Sequence, residues 1–405
     1  SNKFIDLKTG FKTAREARQY YSENEEDLLK LLEQKKNVRP ERRSTNDPRV
    51  GDDYRQGVDV TPEKFAAEFG FRGVQFGNYV EGDRRIRDLN NAFDALLDLA
   101  NLINIPTRGI SLNGSLGLAF GARGKGGVNP AMAHYEPDMV VINLTKINGA
   151  GSLGHEWFHA MDNYFSRMRN SPTEYVTTNP TAPRILSGGM YFDDTSIRPE
   201  LLKAFEDVIK AIRSSDVYKR SKELDKTRAK DYWSTNLELA ARSFEAYLIA
   251  KAKAKGYSND YLANIIGQDG FGDDATYPYP TESEQAEINQ KFDALFAEIK
   301  TKEGENGNVI LYSKNNNNSN GLDKSVVEEA IKNDLYGMDI DVYQTFDDVP
   351  DYVKEQANSE SGGGIEGYYD PNTNRIALIA SNLPDTNRAV EVVRHELIGH
   401  YGMRS

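Results

Sequence analysis

The chain of 405 residues contains no cysteine. Disulfides and thiolate metal sites are therefore excluded, and any zinc must be held by His, Asp or Glu. No stretch approaches the roughly 18 consecutive apolar residues of a membrane helix. The N-terminal Ser1-Asn2-Lys3-Phe4-Ile5-Asp6 has no apolar signal core. These absences fit a cytoplasmic setting and give no membrane partner. Positive charge is also in short supply: the net charge is −12, which argues against broad nucleic-acid binding through phosphate contacts. One basic stretch, Arg39-Pro40-Glu41-Arg42-Arg43 with Arg49 and Arg55, is interrupted by Glu41, Asp47, Asp52 and Asp53. It reads as a solvated linker. Hydrophobic residues at 38 % and charged residues at 28 % are the balance of a soluble globular protein, long enough for two or three domains.

Histidine is scarce, with five in the chain, yet four of them fall in two His-Glu motifs, His155-Glu156-Trp157-Phe158-His159 and His395-Glu396-Leu397-Ile398-Gly399-His400. The first has the H-E-x-x-H spacing. On a helix, residues four apart differ by only about 40° around the axis, so both imidazoles can meet one zinc ion while Glu156 stands beside it as a general base. The second motif has one residue more. Its histidines lie about 140° apart on a regular helix, and they share a metal only if the helix ends or bulges at Gly399.

Hydrophobic periodicity places these motifs. Residues 13–36 read as helix, broken near Asn24, and residues 37–60 as a polar loop or linker. Thr61-Pro62-Glu63-Lys64 is a helix start. Residues 84–103 form a strong amphipathic helix. Short strand-like segments follow at Gly109–Leu112 and Leu116–Phe120, then the Gly-rich turn Gly121–Gly127. Met139–Leu144 is the best strand, a plausible edge for an extended substrate, and the H-E-x-x-H helix spans about Ser152 to Arg167. Further helices are expected near 198–213, 216–228, 235–254 and 282–301. Strands are expected at Asp339–Tyr343 and Arg375–Ala380, with a helix from about Asn387 into the second motif. The Asn-rich stretch after Lys314 reads as a linker.

A zinc site of this kind needs a third protein ligand and an open position. No histidine stands between His159 and His395, so a carboxylate on a later helix is the natural choice. Asp231–Tyr247 offers one, with Thr235 or Asn236 as cap, Glu238 in the first turn and Glu245 two turns on along the same face. Asp162 lies on the face of His155 and His159, where it can accept a ring N–H and orient a ligand imidazole.

The pairing of HEWFHAMDNYF (155–165) with YWSTNLELAARSFEAY (232–247) resembles the gluzincin metalloproteases related to anthrax lethal factor. The resemblance implies a zincin-like peptidase. Glu238 would be the third zinc ligand, with Glu245 the alternative ligand or the carboxylate that orients one. Tyr232 would stabilise the oxyanion, a role His134 could share. A broader resemblance covers about residues 10–260. It rests on Phe71–Asn78, Ala119–Gly124 and Ala133–Pro137, which look like a module of the large polyvalent proteins encoded by phages and conjugative elements. It implies a bacterial mobile-element protein that can be delivered into a host or recipient cell.

The expectation is an α+β protein. An N-terminal helical and linker segment (1–60) precedes a zincin-like metallopeptidase domain (61–305). There the H-E-x-x-H helix packs on a small mixed sheet, followed by a mostly helical C-terminal lobe. An Asn-rich linker (306–321) and a second, truncated zincin-like α/β module (322–405) complete it. The expected function is zinc-dependent peptide hydrolysis, catalysed by Glu156 and Tyr232 at zinc held by His155, His159 and Glu238. The substrate would be a host protein or the protein's own precursor, cut for example at Ile310-Leu311-Tyr312-Ser313-Lys314. The alternative is a catalytically silent zincin-fold binding module.

Overall fold

Helix starts and stops follow short-range side-chain chemistry. The computed structural model describes residues 7–36, 41–77, 82–121, 133–144, 151–168, 172–179, 184–185, 191–194, 197–226, 228, 230–304, 307–312, 321–332, 339–356, 365–383 and 386–396. In chain order these hold helices α1 (Ala14–Glu23), α2 (Glu25–Lys36) and α3 (Pro62–Phe69), strand β1 (Gly73–Phe76), helix α4 (Gly82–Ile103), and strands β2 (Gly117–Phe120), β3 (Ala133–Glu136) and β4 (Val141–Leu144). Helix α5 (Leu153–Met168), strands β5 (Arg184–Ile185) and β6 (Tyr191–Asp194), and helices α6 (Pro199–Ser214), α7 (Asp216–Asp225), α8 (Asn236–Ala254), α9 (Gln268–Phe271) and α10 (Glu282–Glu298) follow. The remainder is β7 (Lys300–Glu303), β8 (Val309–Tyr312), α11 (Lys324–Ile331), β9 (Ile340–Tyr343), α12 (Asp351–Gln356), β10 (Ile365–Asp370), β11 (Arg375–Ile379) and α13 (Thr386–Glu396).

Asn24 separates α1 from α2 because its N–H bonds back to the Tyr20 and Tyr21 carbonyls. Thr61 caps α3 by accepting from Lys64 N–H, Pro62 occupies the first turn, and Gly70 closes the helix with φ +69°. The segment 109–112, expected as a strand, is instead part of a 3₁₀ turn, Thr107–Ser111. Pro106 leads into it, and Leu112, Asn113 and Gly114 all take positive φ behind it, so the chain reverses before a ladder can form.

Contacts divide the chain into two compact units. One is Ser1–Asp162 with Ala204–Ala297 and Thr301–Leu311; the other is Asn163–Lys203 with Glu298–Lys300 and Tyr312–Ser405. In the first, a four-stranded mixed sheet has the order β1-β2-β4-β3. β1, β2 and β4 are parallel, and β3 returns antiparallel to β4. The tight turn Pro137–Val140, with Val140 at φ +51°, folds β3 back onto β4. Val140–Leu144 is therefore not the edge expected from sequence: β4 is paired on both sides, and β1 and β3 are the edges of this sheet. α5 packs by Trp157 and Phe158 into an aromatic cluster with Phe244 of α8 and Phe292 of α10. The Trp157 indole N–H reaches the Ile110 carbonyl at 2.9 Å, so a buried polar group is satisfied where the 3₁₀ turn meets the helix.

Where it is described, most of the basic linker expected at residues 37–60 is exposed, but four of its arginines are paired. Arg42 pairs with Glu245, Arg43 with Asp260, Arg49 with Asp98 and Arg55 with Asp94. Of the interrupting acids seen in sequence, Asp47 also pairs with Arg43; the other partners lie elsewhere in the chain.

The second unit is built on a five-stranded sheet of order β5-β6-β10-β11-β9. Alternation along β11 splits its core: Ala377 and Ile379 pack with Val349 and Val353 by α12, while Leu378 packs with Val327 and Ile331 of α11 and Val392 and Val393 of α13. β6 pairs with β10, and contacts group residues 163–203 with this unit. The two short strands carried too weak a periodicity to reveal it. Both units are α+β, with small mixed sheets.

Candidate metal centre

The site is assembled where the start of α5 meets the start of α8. Gly154 N–H bonds the Leu262 carbonyl at 2.8 Å, satisfying one of the donors a helix N-terminus leaves open. A Cβ on Gly154 would lie 2.7 Å from the Leu248 side chain and 3.1 Å from the Leu262 carbonyl oxygen. Glycine thus lets α5 lie close against α8 one residue before the first histidine.

Thr235 caps α8 by accepting from Glu238 N–H. Thr235-Asn236-Leu237-Glu238 has the pattern of a capping box, in which the glutamate reaches back to the cap N–H. Here the cap N–H goes to the Tyr232 carbonyl at 3.2 Å, and the Glu238 carboxylate turns to the histidines. Its Oε2 lies 3.4 Å from His155 Nε2 and its Oε1 3.6 Å from His159 Nε2. The two Nε2 atoms are 3.1 Å apart. Ligands at the corners of a tetrahedron around zinc, with bonds of about 2.0–2.1 Å, stand about 3.3–3.4 Å from one another. The nitrogen pair and the carboxylate oxygen nearest each histidine lie near that edge length, and one ligand atom from each of the three residues falls within 4.8 Å of the others. Glu238 Oε2 is buried with only long polar contacts, 3.4 Å to His155 Nε2 and 3.5 Å to Arg242 Nη1, so a cation at bonding distance would satisfy it better. His155, His159 and Glu238 therefore fit a zinc ion in donor type, spacing and polarity. Their side chains are 8–13 % exposed.

Glu245, fully buried on α8, places Oε2 3.1 Å from His155 Nδ1. A carboxylate accepts, so Nδ1 carries the proton and Nε2 is left to face the cluster. Glu245 thus holds the orientation of the His155 imidazole. The role drawn for Asp162 is filled at His155 by Glu245; Asp162 itself is fully buried on α5. Burial opposes the charged imidazole of His155, but Glu245 and Glu238 outweigh it and hold its pKa up at about 10. Burial would likewise raise the Glu238 carboxyl, yet hydrogen bonds from His155 and His159 keep it well below the usual range. Such a site holds protons when metal-free and exchanges them for a cation.

Glu156 is 6 % exposed, next to His155 on α5. The Tyr232 phenol is pushed well above its ordinary value by burial first and by the Glu238 carboxylate second. The loop bearing it is held by Asp225, whose carboxylate accepts the N–H groups of Tyr232, Trp233 and Ser234 at 2.8–2.9 Å. Arg242, almost fully buried, donates to the Trp233 carbonyl and lies 3.5 Å from Glu238 Oε2. Asp225, Arg242 and Arg42 were not anticipated, and only the basic stretch around Arg42 carried any signal. His134 is outside the cluster, on the edge strand β3, with Nε2 3.2 Å from Glu136. The second motif enters the end of α13 with His395 and Glu396. Gly399 and His400 lie outside the described residues, as do Gly127 and most of the Gly-rich turn.

Residues 1–68 match the family model of large polyvalent protein-associated domain 5, and residues 224–303 that of large polyvalent protein-associated domain 1. The polyvalent-protein context read from the sequence is supported by both. The first segment contains Arg42; the second contains Tyr232, Glu238 and Glu245; the α5 histidines lie between them. No curated protein and no solved structure matches the chain. Among the described residues, no helix is long and apolar enough to cross a membrane.

Proposed function

We propose that this protein is a zinc-dependent endopeptidase with a zincin-like fold, working within a large polyvalent protein of a bacterial mobile element. The observation that carries the reading is the convergence of His155, His159 and Glu238 at separations of 3.1–3.6 Å. These three residues would hold the ion. When bound, zinc supplies a Lewis acid that polarises the scissile carbonyl and acidifies a water. Glu156, adjoining His155, takes the proton and passes it to the leaving amine. Burial keeps the Tyr232 phenol protonated, so it can donate to charge building on the carbonyl oxygen. An extended peptide would pair with β3, an edge of the sheet, rather than with β4. His134 on that strand would then face the substrate backbone rather than the metal.

Self-processing at Ile310–Lys314 is not favoured by the fold: Ile310, Leu311 and Tyr312 lie in β8 with Leu311 fully buried, while Ser313 and Lys314 fall outside the described residues. A separate substrate protein, or another junction of a precursor, is the better expectation. Mass spectrometry of a peptide library incubated with zinc-loaded wild type and with Glu156→Gln tests the reading. Cleavage by wild type alone supports it. Zinc bound by both with no cleavage by either would assign a silent zincin-fold binding module instead.

A further inference from the structure

Residues 41–50 have no regular secondary structure, yet the segment is fastened along its length, running antiparallel to residues 258–266. The Glu41 carbonyl accepts from Ile266 N–H at 2.9 Å. Arg43 N–H donates to Asn264 Oδ1 at 3.2 Å, and Asn264 Nδ2 donates to Asn46 Oδ1 at 2.6 Å. Asp47 N–H donates to Asp260 Oδ2 at 2.7 Å. Val50 and Ser258 close the ribbon as an antiparallel bridge.

This strap delivers the Arg42 guanidinium into the interior. Its Nη1 donates to the Gly151 and Asn264 carbonyls at 2.5 and 3.2 Å and stands 2.6 Å from Glu245 Oε1. The Arg42 side chain is 9 % exposed and that of Glu245 fully buried. An ionised carboxylate without solvent needs a cationic partner. A metal-bound imidazole is neutral, so with the ion in place His155 brings Glu245 a hydrogen bond but no charge. Arg42 brings the charge.

We propose that Arg42 is a positioning residue of the metal centre: from the N-terminal strap it fixes the Glu245 carboxylate, which in turn holds His155 with Nε2 toward the metal. The inference rests on the reading of His155, His159 and Glu238 as a zinc site. It makes the strap a working part of the centre. The Arg42–Glu245 pair also joins the segment resembling domain 5 to the segment resembling domain 1.

The test is a double-mutant cycle on the full chain, reading zinc affinity by competition with a chromophoric chelator. Arg42→Gln and Glu245→Gln are each expected to weaken zinc binding about 10- to 100-fold, the usual range for partners of a ligand histidine. Because Arg42 acts through Glu245, the double variant should bind zinc within about threefold of Glu245→Gln alone. Arg43→Ala, which cuts the pairs with Asp47 and Asp260 on the same strap, should stay within about threefold of wild type. Additive losses in the cycle, wild-type affinity in a folded Arg42→Gln, or an equal loss in Arg43→Ala would each overturn the inference. Should Arg42→Gln alone not fold, the Glu245→Gln background decides: there, a further loss of tenfold or more on adding Arg42→Gln overturns it. A wild type that binds no zinc would overturn the site reading and this inference together, whereas zinc-binding wild type with an additive cycle overturns this inference alone.

Discussion

Glu238 stands at a position where local chemistry and site chemistry compete for one carboxylate. The Thr-x-x-Glu pattern would turn it onto the helix cap, but two imidazoles and a buried guanidinium draw it away. Replacing it should therefore cost the metal and spare the fold: Glu238→Ala is expected to lose measurable zinc binding in an equilibrium dialysis that wild type passes at one ion per chain. Tyr232→Phe separates binding from chemistry. It removes only a hydroxyl, so zinc affinity should hold within about threefold while kcat falls about 10²- to 10³-fold, as for loss of an oxyanion donor. Unchanged kcat would return Tyr232 to a packing role. At this scale the candidate histidines were legible because His155 and His159 announce themselves by type and helical spacing, and the carboxylate was narrowed to Glu238 or Glu245. Whether Glu238 or Glu245 closes the site was not, since both lie on one face of one helix. Only their distances assign Glu238 to the cluster and Glu245 to His155 Nδ1. Arg42 was hidden for a different reason: its partner is remote in sequence, and a charged residue in a polar stretch carries no periodicity.

Among elements, the contact of α5 with α8 and the loop leading into α8 decide whether the site forms. Gly154→Ala should be destabilising by about 1–3 kcal/mol, the range for overpacking, because the added methyl meets a Leu262 backbone oxygen that cannot swing aside. Urea unfolding of the metal-free protein measures this, and a variant as stable as wild type would mean that α5 and α8 can separate freely. Asp225 has an analogous part at the entry to α8. Asp225→Ala frees three N–H groups at once and should cost about 1.5–3 kcal/mol and lower turnover by loosening Tyr232. Helices were read well from sequence, since their apolar stripes and caps are local signals. Strands fared worse. β4 was recognised by its apolar residues, but its place inside the sheet depends on β3, and four residues reading Ala-His-Tyr-Glu do not announce an edge strand. β6 was missed because its partner β10 lies far along the chain.

The molecule as a whole carries its charge unevenly, and acid should expose this. Burial would raise the Glu284 carboxyl, but bonds from Arg220 and Thr281 hold it below the ordinary value; the same carboxylate ties α10 to Val217 N–H of α7. A depressed carboxyl contributes stability above its unfolded pKa, roughly 4.3 for glutamate, and loses it as pH falls through the lower folded value. Wild type should thus exceed Glu284→Gln in stability near neutral pH, and the gap should close below roughly pH 4. Denaturant unfolding across that range checks it, and a gap that persists in acid would show that the pair contributes by packing rather than charge. The two units, and the two segments resembling polyvalent-protein domains, give the function its setting, but the central claim concerns one cluster. Anomalous diffraction from crystals of the zinc-loaded protein, recorded on both sides of the zinc edge, tests it most directly. The account predicts one peak within bonding distance of His155 Nε2, His159 Nε2 and a Glu238 oxygen, with Glu245 on His155 Nδ1 and outside the coordination sphere. No peak there, or a peak bonded to Glu245 in place of Glu238, would contradict it.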